Sequence, residues 1–139
     1  MTMLAILSAG IIACTAPNVH DGDTLRCGKT SIRLFGVDAP EVRRGKTPAE
    51  PLAYDARDLL VSLTRERVGC RVVDQDRYGR QVARCWSSAS PDLNAAMIRS
   101  GLATEWRAYS KGAYTEAQAE AKAAGRGAWA PGAAPRKAR

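Results

Sequence analysis

The stretch VHDGDTLRCGKTSIRLFGV, residues 19–37, reads as three short strands. An Asp–Gly pair at residues 21–22 lies between two extended runs, the signature of a tight turn between strands. In SIRLFGV the apolar residues alternate, with Ile32 and Leu34 on one face and Arg33, Phe35 and Val37 on the other. A period of two places one face against a core and aims the other elsewhere. The same stretch carries two aspartates around one glycine, and Asp38 and Glu41 follow directly after it.

Outward from this stretch the pattern changes. APEVRRGKTPAEP (39–51) holds three prolines and a glycine and reads as a loop. LAYDARDLLVSLTRER (52–67) places Leu52, Ala56, Leu59, Leu60 and Leu63 at helical spacing. GCRVVDQDRYGRQVARCW (69–86) returns to strand, turn and strand around DRYG. SPDLNAAMIRSGLA (90–103) reads as a short helix capped by Ser90 or Asp92 and stopped at Gly101. AYTEAQAEAKAAGRGAW (113–129) is a second alanine-rich helix ending at Gly125, with Trp129 returning to the core. About five strands, one helix after the third and two helices at the end fit a small closed barrel with helical additions. The expected organisation is an apolar leader over 1–13, one domain over 14–130 and a disordered basic tail over 131–139.

The chain has 139 residues and a formal charge of +7, of which the terminal RKAR supplies +3. A basic surface favours polyanions, nucleic acid first among them. The uncharged residues 3–14 are too few to span a bilayer and fit the apolar part of a secretory signal. IIAC also fits a lipoprotein box with Cys14 acylated, and a plain N-terminal strand is the alternative to both. Cys70 and Cys85 are equidistant from DRYG, and Cys14 and Cys27 flank the DGD turn. Two cross-strand disulfides, Cys14–Cys27 and Cys70–Cys85, are therefore expected, against the alternative of four buried thiols. Disulfides and a leader together predict a periplasmic or secreted protein.

His20 is the only histidine and no CxxC pair occurs, so zinc-ligand spacing is absent. No GxSxG elbow surrounds any serine. Carboxylates and arginines remain. Asp23 and Asp38 are hard oxygen donors, and a carbonyl beside Asp38 can add a third, a set suited to Ca²⁺, or less readily to Mg²⁺. Glu41 can deprotonate a water, while the planar forks of Arg33 and Arg80 match phosphate oxygens. Taken singly, each stretch also reads as an ordinary turn or loop with surface charges.

Taken together, VHDGDTL, IRLFGVDAPE, DRYGR, DLNAAMIRSGLA and AYTEAQAEAKAAGRGAW closely resemble the staphylococcal nuclease family, in that family's order and spacing over about residues 17–130. The resemblance implies an OB-fold, a five-stranded barrel with three α-helices. It also implies Ca²⁺-dependent cleavage of DNA and RNA that leaves 3′-phosphate ends, with single-stranded or breathing substrate preferred. Residue by residue, it assigns Asp23, Asp38 and the Ala39 carbonyl to the metal, with Asp21 behind them. Glu41 falls beside the attacking water, and Arg33 and Arg80 fall on the phosphate. Arg77 and Tyr78 fall at a terminal phosphate, and Tyr109 beside a base. Two departures stand out: Ala39 where many members have threonine, and Arg107 where a second aromatic is expected. The alternative is a barrel that binds nucleic acid without cutting it, although Asp23, Arg33, Asp38, Glu41 and Arg80 are all filled. Nothing in the sequence calls for an obligate oligomer, and a monomer is expected.

Overall fold

The computed structural model describes residues 5–7, 10–134 and 136. In chain order the strands are β1 (Ala5–Leu7), β2 (Ile11–Thr15), β3 (Asn18–Asp21), β4 (Thr24–Cys27), β5 (Thr30–Leu34), β6 (Val37–Asp38), β7 (Arg67–Gln75), β8 (Gln81–Ser87) and β9 (Thr104–Glu105). The helices are α1 (Ala53–Leu63), α2 (Leu93–Arg99), α3 (Arg107–Ser110) and α4 (Thr115–Ala124), followed by a 3₁₀ turn at Gly127–Trp129. The main sheet runs β1-β2-β7-β8-β5-β4-β3, mixed because β5 and β8 are parallel, and β6 pairs separately with β9.

The expected five barrel strands are present, the first of them in two pieces. β2 pairs with β7 and β3 pairs with β4, near opposite ends of the sheet order. Yet β2 and β3 are consecutive, separated only by Ala16, which has a left-handed φ of 46°, and Pro17. Proline has no N–H for a ladder, so the chain bends there and changes partner. One continuous segment thus holds both ends of the sheet, which curls on itself as an OB-type barrel. The strand begins at Ile11, inside the span assigned to a leader, and Ile12 and Ala13 are buried core residues. Residues 1–4 and 8–9 of that expected leader lie outside the described residues.

Ile32 and Leu34 fill the barrel interior with Leu25, Ile12 and Val68, as the alternation predicts. Both disulfides form. Cys70 and Cys85 are directly opposed partners across β7 and β8. Cys14–Cys27 has a different basis from the one expected. It is no neighbouring-strand pair, since it links β2 to β4 across the seam where the sheet meets itself.

α1 begins at Ala53 rather than Leu52, and its buried face is Ala53, Ala56 and Leu60. Asp92 caps α2 by accepting the Ala95 N–H, and α4 stops at Gly125 in a left-handed conformation. Buried Asn94 locks α2 to the barrel: its amide donates to the Phe35 and Ala83 carbonyls and its oxygen accepts the Cys85 N–H. Trp129 is half-buried, with the Lys122 ammonium 4.7 Å from its ring.

Glu105 fastens the C-terminal helices. Burial raises the pKa of its carboxyl, but the Ser110 and Thr115 hydroxyls, the Tyr114 N–H and the nearby Arg107 charge outweigh this and hold it below the ordinary value. A carboxyl lowered on folding stabilises the native state above its unfolded pKa, and that stability is lost as pH falls through the folded pKa. Glu105→Gln is therefore expected to destabilise the protein at pH 7 and to flatten the acid side of its stability curve. Urea unfolding from pH 7 to pH 3 measures this; parallel wild-type and mutant curves would remove Glu105 from that role.

Candidate active site

Two backbone features build the site. Gly22 sits between the aspartates, where a Cβ would lie 2.7 Å from that of Ala56 and 2.9 Å from that of Ala39. Only glycine lets the β3–β4 turn press against α1 and the β6 segment, which brings Asp23 beside Ala39. A β-bulge between Val19 and Asp21 shifts the register just before this turn. Gly36, at φ 70°, turns the chain after β5, and a Cβ there would be 2.7 Å from that of Ser110. Beyond that turn, Val37 is in the core and Asp38 follows it, 3% exposed.

Because Ile32 and Leu34 face inward, Arg33 emerges on the opposite face of β5. Its guanidinium donates to the Val37 carbonyl at 3.1 Å and pairs with Asp23 Oδ2 at 3.1 Å. It also lies 5.1 Å from the Trp106 ring centre. Asp23 Oδ2 further accepts the Ala39 N–H at 2.8 Å, and Oδ1 accepts the Thr24 hydroxyl. Burial works against the charge on Asp23, but Arg33 and these donors hold its carboxyl below the ordinary range. Burial and the Asp23 charge push the neighbouring Asp21 the other way, well up. One carboxylate of this pair is kept ionised and the other is driven towards its neutral form.

A cleft of about 1190 Å³ joins the parts. Asp21, Asp23, Arg33, Glu41, Arg77, Tyr78 and Arg80 all line it, though they come from β3–β4, β5, the following loop and the β7–β8 turn. In that turn Asp76 accepts the Tyr78 and Arg80 N–H groups and pairs with Arg80 Nε at 2.6 Å, which fixes the arginine's stem. Arg77 and Arg80 lie 5.1 and 5.7 Å from the Tyr78 ring, itself 71% exposed. Glu41 is exposed, and its N–H donates to Glu50 Oε2 at 2.7 Å. Arg26, Arg43, Arg44 and Arg57 add to the lining. A polyanion entering the cleft meets seven guanidinium groups.

Asp38 and Ala39 sit at the edge of this space, buried, rather than among its lining residues. Tyr109 also stands outside the lining, 54% exposed, with its ring edge-on to Trp106 at 4.5 Å. Trp106 lines the cleft, where Arg107 was expected to leave the base side without a second aromatic. No periodic pattern in the sequence marks Trp106 as part of the site. The other unforeseen residue is Arg136, from the segment expected to be a patternless tail. It donates to Asp38 Oδ2 at 2.9 Å and to the Asp38 carbonyl at 3.2 Å.

Among the described residues no cluster of three or more His, Cys, Asp or Glu side chains suited to a metal occurs. A cation here would be held by Asp23 and Asp38, the Ala39 carbonyl and water. The donor chemistry fits. Both carboxylates are almost wholly buried and each has drawn a guanidinium to itself, the sign of negative charge that needs a cation. Oxygen donors with open positions for water suit Ca²⁺.

A family model described as staphylococcal nuclease homologue matches residues 31–131. The chain belongs to the staphylococcal nuclease family. Relatives include proteins named probable endonuclease LCL3. That of Coccidioides posadasii is 35% identical over 112 residues, covering 70% of this chain and 36% of the relative. That of Talaromyces marneffei is 38% identical over 116 residues, covering 70% and 34% respectively. The chain thus spans about a third of the length of the curated relatives it matches. No helix among the described residues is long and apolar enough to cross a membrane.

Proposed function

We propose that this protein is a calcium-dependent nuclease that hydrolyses phosphodiester bonds of DNA and RNA, favours single-stranded or breathing substrate and leaves 3′-phosphate ends. The observation that carries this is the single cleft in which Glu41, Arg33 and Arg80 surround the Asp21–Asp23 turn. Asp23, Asp38 and the Ala39 carbonyl would hold the calcium ion, which when bound supplies positive charge against the phosphate oxygens. Arg33 and Arg80 donate to the equatorial oxygens, whose charge grows as phosphorus becomes five-coordinate. Glu41 takes the proton of an in-line water as that water bonds to phosphorus. The P–O5′ bond breaks, and the departing oxygen takes a proton from solvent. Arg77 and Tyr78 grip a neighbouring phosphate. Trp106 and Tyr109 give the base an apolar wall, and such stacking is tolerant of sequence.

The two disulfides support work in an oxidising compartment, periplasmic or extracellular. A monomer is proposed, since one chain supplies every group the reaction uses.

Digestion of heat-denatured DNA in millimolar CaCl₂, and again in EGTA, tests the reading. Cleavage with calcium that stops in EGTA is expected. Folded protein that binds DNA and cuts it in neither condition would leave a binding module in place of a nuclease.

A further inference from the structure

Arg136 lies 98 residues beyond Asp38, yet its guanidinium rests on that carboxylate, with 14% of the side chain exposed. One Nη donates both to Asp38 Oδ2 and to the Asp38 carbonyl. The other is 3.9 Å from Glu50 Oε1. Glu50 Oε2 in turn accepts the Glu41 N–H, so the arginine bridges a candidate metal ligand and the loop that carries the candidate base. Its third donor, Nε, is buried and has no hydrogen-bond partner among the described residues. A strut selected for a permanent place would satisfy that donor, because a buried polar group without a partner is costly. The seat suits positive charge better than it suits a guanidinium.

We propose that Arg136 is a built-in competitor for the cation and so sets the calcium affinity of the site. The inference rests on the proposed calcium reading. Asp38 cannot give the same oxygen fully to a +1 guanidinium and a +2 ion, so the ion binds as Arg136 leaves. While Arg136 is seated, the binding-competent fraction falls and the apparent dissociation constant rises in inverse proportion. At low calcium Arg136 holds the site; at high calcium Arg136 is displaced and Glu50 loses its arginine. The protein would therefore answer to a calcium threshold higher than its two aspartates alone would impose.

Calorimetric titration of CaCl₂ into the full chain without nucleic acid provides the test. Arg136→Ala is expected to bind calcium about tenfold more tightly than wild type, the ratio for an Arg136 seated about nine-tenths of the time. Arg136→Lys should fall between them, keeping the charge without the fork. Arg71→Ala removes the same charge from exposed β7 and should change affinity less than about threefold, as a screened surface charge does. Circular dichroism confirms that each variant is folded. Unchanged or weaker binding in Arg136→Ala would make the arginine a strut that positions Asp38, and overturn the proposal. An equal gain in Arg71→Ala would reduce the effect to net charge, with the same consequence. Absence of calcium binding in every variant would overturn it together with the calcium reading, a result the EGTA digestion reports separately.

Discussion

Replacing Arg33 by alanine is expected to slow cleavage of heat-denatured DNA by about 10²-fold or more, mostly in kcat. The side chain is held before substrate arrives, by the Val37 carbonyl, Asp23 Oδ2 and the face of Trp106. Such preorganised donors gain most when charge develops in front of them, because no reorganisation is required at the moment of reaction. Arg33→Lys keeps the charge but can fill fewer of these positions at once, and should recover only part of the rate. The removal also leaves Asp23 without its guanidinium, beside Asp21, so single-turnover rates at saturating calcium are the proper comparison. A loss smaller than about threefold would take Arg33 out of the transition state and leave it as a partner of Asp23 alone.

The Cys14→Ala, Cys27→Ala double variant should lose about 3 kcal/mol of stability, equivalent to a melting point on the order of 10 °C lower. The two disulfides close loops of nearly equal length, with sequence separations of 13 and 15 residues. Chain entropy in the unfolded state therefore ranks them almost equal. Their native contexts differ. Cys70 and Cys85 join strands already laddered together, whereas Cys14–Cys27 spans the seam between β2 and β4. Loss of the seam bond should cost more, with hydrogen exchange rising first in β2 and β3. Equal melting points for the two double variants would show that the backbone bend at Ala16–Pro17 closes the barrel without help from sulfur.

Much of this architecture was written locally. Ile32 and Leu34 alternate because a strand has two faces; Asp92 reads as a cap because its carboxylate reaches the N–H three residues on. Cys70 and Cys85 pair because a hairpin turn places equidistant residues opposite one another. Asp23, Arg33, Asp38 and Glu41 were legible for a related reason: they fall within one short run of strand, turn and loop. Trp106 was less so, since an aromatic three residues ahead of a serviceable tyrosine carries no periodic mark.

The sequence by itself determined the strands on either side of the Asp–Gly and DRYG turns, the turn chemistry and the short run that holds Asp23, Arg33, Asp38 and Glu41, because each depends on neighbours a few residues away. Tertiary structure alone decided which end of the sheet β2 joins, why Cys14 meets Cys27, and that Arg136 rests on Asp38. The physical reason is range. Period and capping act over one or two turns of chain, whereas a contact across 98 residues is chosen by how the whole barrel packs and by where buried negative charge still needs a partner.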